Sequence, residues 1–373
     1  MKTILKDLIQ FRSAQPEGNE AEVITYINQL LPKQYARTLF DHGSGRQSLL
    51  IKVAGKTDID GVAFLGHIDT VNAGVESDWT YPPYTATEVD GRIYGRGSAD
   101  MKSGVAAMLY TALQLQNDPP VYNTYFGFTA DEEAGGLGVV AMAQSGLLQN
   151  VKAVVVCEPS DGRVGTCEKG ALWLQVCASG RLSHGSRPDL GINALQGLVD
   201  FLHEFDSRVD YSVQSPHFGG TTVALTMLNG GVLHNVVPDR AKMCLDIRTV
   251  FGVNHSDLVS AAQAAARAVS AQTQGLAFDI QVTNDRPPVA TDENAPLVQA
   301  AKRLAVQNGL TGETRGLYFY TDASQLIPAI NKPFVIFGPG DDKLAHQQNE
   351  WVAVSDLDIF ANIYLGLTRE ENL

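Results

Sequence analysis

The sequence predicts an α/β fold in which a mainly parallel sheet flanked by helices is interrupted by a smaller α+β unit. Three observations carry this expectation. Short apolar runs alternate with helical stretches through the first part of the chain, the order of elements changes in the middle, and the alternation resumes after Arg286-Pro287-Pro288.

Residues 20–31 place Ala21, Ile24, Ile27, Leu30 and Leu31 at helical spacing. Apolar runs at 48–53, 61–65, 124–129 and 153–157 have strand length; a helix is expected over 102–115, and another follows Leu137. Strands that alternate with helices pair in parallel, with helices on both faces. The middle reads differently: strand 173–178, helix 192–205, strands 221–228 and 242–249, an alanine-rich helix 256–271 and strand 276–282. That βαββαβ order is ferredoxin-like, a four-stranded sheet with two helices on one face. A helix near 295–307 and a strand at 334–337 then return to the first pattern. The expected organisation is a first part at 1–169, an insertion at 170–283 and a second part at 284–373.

A chain of 373 residues can build two cores, and 44% hydrophobic with 18% charged residues is a globular composition. The formal charge of -13 argues against a nucleic-acid partner, which needs a basic face. Part of that acidity is expected to belong to a metal site, whose cations would offset it. No run approaches the length of a membrane span, and Lys6 and Asp7 break the N-terminal apolar pattern where a signal peptide would need continuity. The cysteines Cys157, Cys167, Cys177 and Cys244 show no Cys-x-x-Cys spacing and read as buried free thiols of a cytoplasmic protein.

Three expected strands end in ionisable residues: Gly66-His67-Ile68-Asp69, Ala130-Asp131-Glu132-Glu133 and Cys157-Glu158-Pro159-Ser160. Ligands of open parallel sheets bind beyond the carboxyl ends of the strands, so these groups should converge. Asp100 follows Gly95-Arg96-Gly97-Ser98-Ala99 and precedes a helix near the same edge. One imidazole with several carboxylates suits zinc, cobalt or manganese, and there are more carboxylates than one tetrahedral zinc needs, which points to two ions sharing a bridge. Taken singly, each piece has a plainer reading. A His-x-Asp pair is also a core histidine bonded to a turn aspartate, and Asp-Glu-Glu is also a solvated loop. Gly95 and Gly97 also suit a phosphate loop, although its Gly-Lys-Ser/Thr ending is absent.

Taken together, Leu65-Gly66-His67-Ile68-Asp69-Thr70-Val71, Tyr94-Gly95-Arg96-Gly97-Ser98-Ala99-Asp100-Met101-Lys102, Thr129-Ala130-Asp131-Glu132-Glu133, Glu158-Pro159-Ser160 and Ala345-His346-Gln347 resemble the co-catalytic zinc amidohydrolases and exopeptidases. That family includes acetylornithine deacetylase, succinyl-diaminopimelate desuccinylase, aminoacylase and a glutamate-releasing carboxypeptidase. The resemblance spans nearly the whole chain and implies a zinc-exopeptidase-like catalytic domain. It assigns His67 and Glu158 to one divalent ion, Glu133 and His346 to the other, and Asp100 to both. It makes Asp69 the orienter of His67 and Glu132 the general base and then acid. The substrate it implies is a small N-acyl amino acid or short peptide.

Ser183-His184-Gly185-Ser186-Arg187-Pro188 with Gly191-Ile192-Asn193-Ala194 resembles the family's histidine motif, which implies that His184 stabilises an oxyanion and that the inserted unit forms a homodimer contact. Its spelling is closer to the acetylornithine-deacetylase branch than to the longer motif of proteobacterial desuccinylases. A turn histidine at a domain edge is the plainer reading. Asn235 and Arg248, in motifs that also match, are candidates for gripping a substrate carboxylate, although Arg248 also reads as a strand-end surface charge. Tyr320-Thr321-Asp322-Ala323-Ser324 and Gly338-Pro339-Gly340 resemble pocket-lining loops. The readings that compete with a deacylase are a peptidase of the same family and a binding or interaction protein that kept the scaffold.

Overall fold

The computed structural model describes residues 1–373 and divides into two compact units. One comprises Met1–Cys167, Ala290–Gly316 and Thr321–Leu373, and the other comprises Glu168–Val289 with Leu317–Tyr320. The second unit is longer than the expected 170–283 because its last strand, Ala277–Arg286, runs past Val282 across a register shift.

The first unit is built on a nine-stranded sheet. Its centre is four parallel strands in the order Asn123–Thr129, Asp60–His67, Ala153–Pro159 and Phe334–Gly338. Arg46–Val53 and Ala36–Gly43 extend one side in antiparallel register. Every residue of Ala153–Pro159 is buried, which is why it reads as an unbroken apolar run rather than an alternation. Helix Lys102–Gln114 packs on this sheet and on helix Val354–Leu367. Gly104 sets the close approach: a Cβ there would lie 2.1 Å from the Cys157 carbonyl oxygen. Val105, Met108 and Leu109 are fully buried on that helix, each stabilising by roughly 2 kcal/mol.

Three helices lie outside the expected set: Lys2–Gln10, Ala323–Ile330 and Val354–Leu367. Ala323–Ile330 carries Pro328 inside it, which hides a helix from a pattern reading. No helix is long and apolar enough to cross a membrane.

The second unit has an antiparallel sheet of Thr222–Gly230, Arg240–Thr249, Gly170–Ser179 and Ala277–Arg286, in that spatial order. In chain order these are its second, third, first and fourth long strands, as the ferredoxin-like arrangement requires. Along Gly170–Ser179, Leu172, Leu174 and Val176 are buried while Trp173 is exposed, so one face is covered. Helices Ala194–Asp206 and His255–Gln272 supply the cover. Each starts at an asparagine cap, Asn193 accepting the Gln196 N–H and Asn254 the Ser256 N–H. No cysteine forms a disulfide; Cys157 and Cys167 are buried, while Cys177 and Cys244 are half-buried.

Candidate metal centre

The carboxyl ends of the four parallel strands bring the ionisable residues together. His67 is the last residue of its strand, Asp131-Glu132-Glu133 follows Thr129, Glu158 ends Ala153–Pro159, and His346 lies in the turns after Gly338. Asp100 enters from the loop before helix Lys102–Gln114. It stands between the two imidazoles, with Oδ1 3.0 Å from His67 Nε2 and Oδ2 3.4 Å from His346 Nε2. Glu158 Oε1 lies 3.4 Å from His67 Nε2, and Glu133 Oε2 lies 3.0 Å from His346 Nε2. Each imidazole therefore has its own carboxylate and shares the carboxylate of Asp100.

Glu132 also belongs here. Its carboxylate, His67 and Glu158 offer ligand atoms within 4.8 Å of one another, as do His67, Asp100 and Glu133. The adjacent glutamates thus take different surroundings, Glu133 beside His346 and Glu132 toward His67 and Glu158.

Asp69 acts differently from the expected carboxylate–imidazole contact. The His67 Nδ1–H donates to the Asp69 backbone carbonyl at 3.0 Å, while the nearer carboxylate oxygen is 3.7 Å away. The carbonyl makes Nδ1 a donor and leaves Nε2 facing Asp100 and Glu158. The Asp69 carboxylate instead accepts the Glu132 and Glu133 backbone N–H groups, both at 3.2 Å. It thereby holds the Glu132-Glu133 segment rather than the ring.

Side chains that sequence pattern does not reveal stand behind Asp69. Gln15 Nε2 donates to Asp69 Oδ2 at 2.8 Å, and Gln15 Oε1 accepts from Arg46 Nη2 at 2.6 Å. Arg46 pairs with Asp131, which lies at a left-handed φ of 68° just before the two glutamates. These residues come from separate early segments, so no spacing rule links them. Glu350, buried against the loop that carries Asp100, is a further unforeseen member.

The electrostatics fit a centre that takes cations. Burial pushes the Glu132 carboxyl well above the usual range against the pull of His67, and Glu133 and Glu158 push it further. Burial raises Glu133, aided by Asp100, and raises Glu158 to about 8. Hydrogen bonds from His346 and His67 outweigh burial at Asp100 and hold it well below the carboxylate range. His67 is raised despite burial by Glu158 and Asp100, and His346 is raised to about 10 by its bonds to Asp100 and Glu133. Closely packed carboxylates share protons that a divalent cation would displace. Two imidazoles, three ligand-type carboxylates and an adjacent fourth form an N/O donor set suited to two such ions.

The remaining candidates belong to the second unit. His184 lies in a short strand paired with Val236–Val237, and the Asn235 carbonyl accepts the Gly185 N–H at 2.7 Å, so His184 and Asn235 are neighbours. The Ser186 N–H donates to His184 Nδ1 at 3.2 Å, with Ser186 Oγ at 2.8 Å. With Nδ1 accepting that N–H, Nε2 is the ring nitrogen left to donate. Arg248 is not an open fork: Nε lies 2.8 Å and Nη2 3.1 Å from the two Asp246 carboxylate oxygens. A substrate carboxylate would have to compete with that pair.

Comparison with known proteins agrees with this arrangement. The chain matches peptidase family M20/M25/M40 over residues 63–370. It is 27% identical over 405 residues to a Staphylococcus aureus protein named probable succinyl-diaminopimelate desuccinylase, covering 99% of this chain and 97% of that one. Aminopeptidase PepT from Bacillus cereus has the same fold, with a TM-score of 0.81, 19% identity and 98% of both chains covered. So has the Bacillus subtilis YXEP protein, described as a dinuclear metal binding peptidase, at a TM-score of 0.73 and 17% identity over 98% of this chain and 96% of that one. With a family match across most of its length and a strand-end cluster of histidines and carboxylates, the chain belongs to peptidase family M20/M25/M40, the metal-dependent peptidases and amidohydrolases.

Proposed function

We propose that the chain hydrolyses the amide bond of a small N-acyl amino acid, as a desuccinylase or deacetylase, with two divalent ions that are zinc, or else cobalt or manganese. The observation that carries this reading is the position of Asp100, with one oxygen toward His67 and the other toward His346. His67, Glu158 and Asp100 would hold one ion, and His346, Glu133 and Asp100 the other. Bound there, the ions supply Lewis-acid polarisation of the amide carbonyl and acidify water.

The chain's own residues then move the proton. Glu132 accepts it from the attacking water on its carboxylate and delivers it to the leaving nitrogen, a task suited to a carboxyl with a raised pKa. His184 would donate Nε2–H to the developing oxyanion, and Asn235 and Arg248 would bind a substrate carboxylate. The N-acyl reading leans on the desuccinylase name of the relative, and a di- or tripeptidase reading leans on the peptidase names of the structural neighbours.

The same reading makes the protein a cytoplasmic homodimer. Strand Thr222–Gly230 is the outer strand of its sheet and exposes Leu225, Met227 and Leu228, followed by Val232 and Leu233. An apolar free edge of this kind suits pairing with a second copy. A monomer by light scattering would contradict it.

The deciding experiment is hydrolysis of N-succinyl, N-acetyl and dipeptide substrates after chelation and after zinc, cobalt or manganese is restored. Turnover of an N-acyl substrate that is lost with chelator and regained with metal is expected. Turnover of dipeptides alone would favour the peptidase; none at all with two ions bound would put the substrate outside this set, and none with fewer than two ions would favour the binding protein.

A further inference from the structure

The residues around Asp100 reach the centre from two kinds of backbone. His67 and Glu158 stand at the ends of adjacent strands in register, Leu65 pairing with Val156. Asp100 and His346 stand on irregular chain, the first after a loop with Gly97 at φ 80° and the second at φ 63°. The two loops flank one antiparallel strand pair, Arg92–Tyr94 with Trp351–Ala353, in which Trp351 lies opposite Tyr94. Beyond that pair, one buried side chain ties them together.

Glu350 is fully buried. Its Oε2 accepts Arg96 Nη1–H at 2.6 Å and the Gly97 N–H at 3.0 Å, and its Oε1 accepts the Ala99 N–H at 2.8 Å and the Asp100 N–H at 3.0 Å. Its backbone carbonyl accepts the Gly95 N–H at 3.0 Å, and Arg96 Nη2 reaches the His346 carbonyl at 3.4 Å. A carboxylate that takes a guanidinium and three main-chain N–H groups leaves a loop little freedom, because each of those buried donors would otherwise lack a partner. We propose that Glu350, with Arg96, is the positioning pair that keeps Asp100 and His346 in register, and that it sets the affinity for the ion held by Glu133 and His346. The pair touches no ligand atom of that ion; it acts through the main chain of Asp100 and His346. The inference rests on the two-ion reading given above.

The test is cobalt(II) titration of the metal-free parent chain and of Glu350→Gln, Arg96→Lys and His346→Ala, followed by calorimetry and cobalt absorption, with the thermal midpoint of each metal-free chain. The binding step lost in His346→Ala identifies the ion concerned. That step should weaken about 10- to 100-fold in Glu350→Gln and by less in Arg96→Lys, the range seen when outer partners of ligands are removed. The other step shares Asp100 and should weaken as well, but by clearly less, since His67 and Glu158 are held by the sheet.

Parent-like affinity for both ions in Glu350→Gln overturns the proposal, whatever the thermal midpoint does. So does equal weakening of both steps, the mark of a general scaffold role. If Glu350→Gln fails to fold, Arg96→Lys decides on the same two steps. A parent chain that binds a single ion fails the two-ion reading itself, before any variant is compared, and takes the proposal with it.

Discussion

His67 and His346 both face Asp100, yet the chain holds them in opposite ways. The His67 side chain is 1% exposed, ends a buried strand and has its Nδ1 fixed by a backbone carbonyl. The His346 side chain is 53% exposed and sits in a left-handed turn. The difference teaches that a strand-end ligand comes with its position, because sheet register and core packing place it. A residue on irregular chain relies instead on side chains such as Arg96 and Glu350, which bond the His346 carbonyl and the Asp100 N–H.

The largest effect should separate the adjacent glutamates. Glu132→Gln is expected to keep two ions and lose about 100- to 10,000-fold in kcat, the usual worth of a positioned acid–base group. Glu133→Gln should instead lose an ion by metal analysis. Because Glu132 also reaches His67 and Glu158, the opposite pattern would reverse the two roles.

Next comes the contrast between the imidazoles. His67→Ala should weaken metal binding more than about 100-fold, and His346→Ala should spare one ion, read by equilibrium dialysis. Equal losses in the two variants would erase the distinction between strand-end and loop ligands.

A smaller effect is expected behind the strand ends. Gln15→Leu removes the donor to Asp69 and the acceptor of Arg46. It should lower kcat about tenfold with both ions retained, within the range for outer partners. Unchanged kcat would mean that Asp69 and Arg46 hold the glutamate segment without Gln15.

The smallest effect concerns stability and pH. Burial, with added push from Asp69, raises the buried Glu20 carboxyl from 4.5 to about 7. The folded chain therefore keeps a proton that the unfolded chain releases near pH 4.5. The stability tied to it is full below that pH and is lost as pH rises to about 7. The loss is on the order of 3 kcal/mol at most. Glu20→Gln should remove this slope in denaturant unfolding at pH 5 and pH 8; parent and variant falling by the same amount would refute it.

What could be read in the sequence follows the same division. The parallel strands announce themselves because burial on both faces leaves no room for polar residues, and the ionisable residues after them stand out by contrast. The converging positions of His67, Asp100, Glu132, Glu133, Glu158 and His346 were legible for that reason, aided by resemblance for His346. Their individual roles await the variants above. Gln15, Arg46 and Glu350 were not legible, because a buried polar side chain whose partner lies as far as 54 or 254 residues away leaves no periodic trace. The last helix was legible in principle, with Leu357, Phe360, Tyr364 and Leu367 on one buried stripe. Lys169 shows another limit. It is buried, with Nζ 3.5 Å from the Gly220 carbonyl and 5.6 Å from the Tyr318 ring, and nothing in its neighbours in sequence marks it.

The brace behind Asp69 also decides where this chain can be cut. The family match begins at residue 63, and a fragment starting there would still contain every histidine and carboxylate of the centre. It would lack Gln15 and Arg46, the Phe11 carbonyl that takes the buried Lys102 ammonium, the Ser13 hydroxyl on the Ile68 carbonyl, and the Ser48 hydroxyl that accepts the Ala130 N–H. The chemistry is therefore not portable with its ligands, and transplanting this centre to another scaffold would mean carrying the first fifty residues along with it.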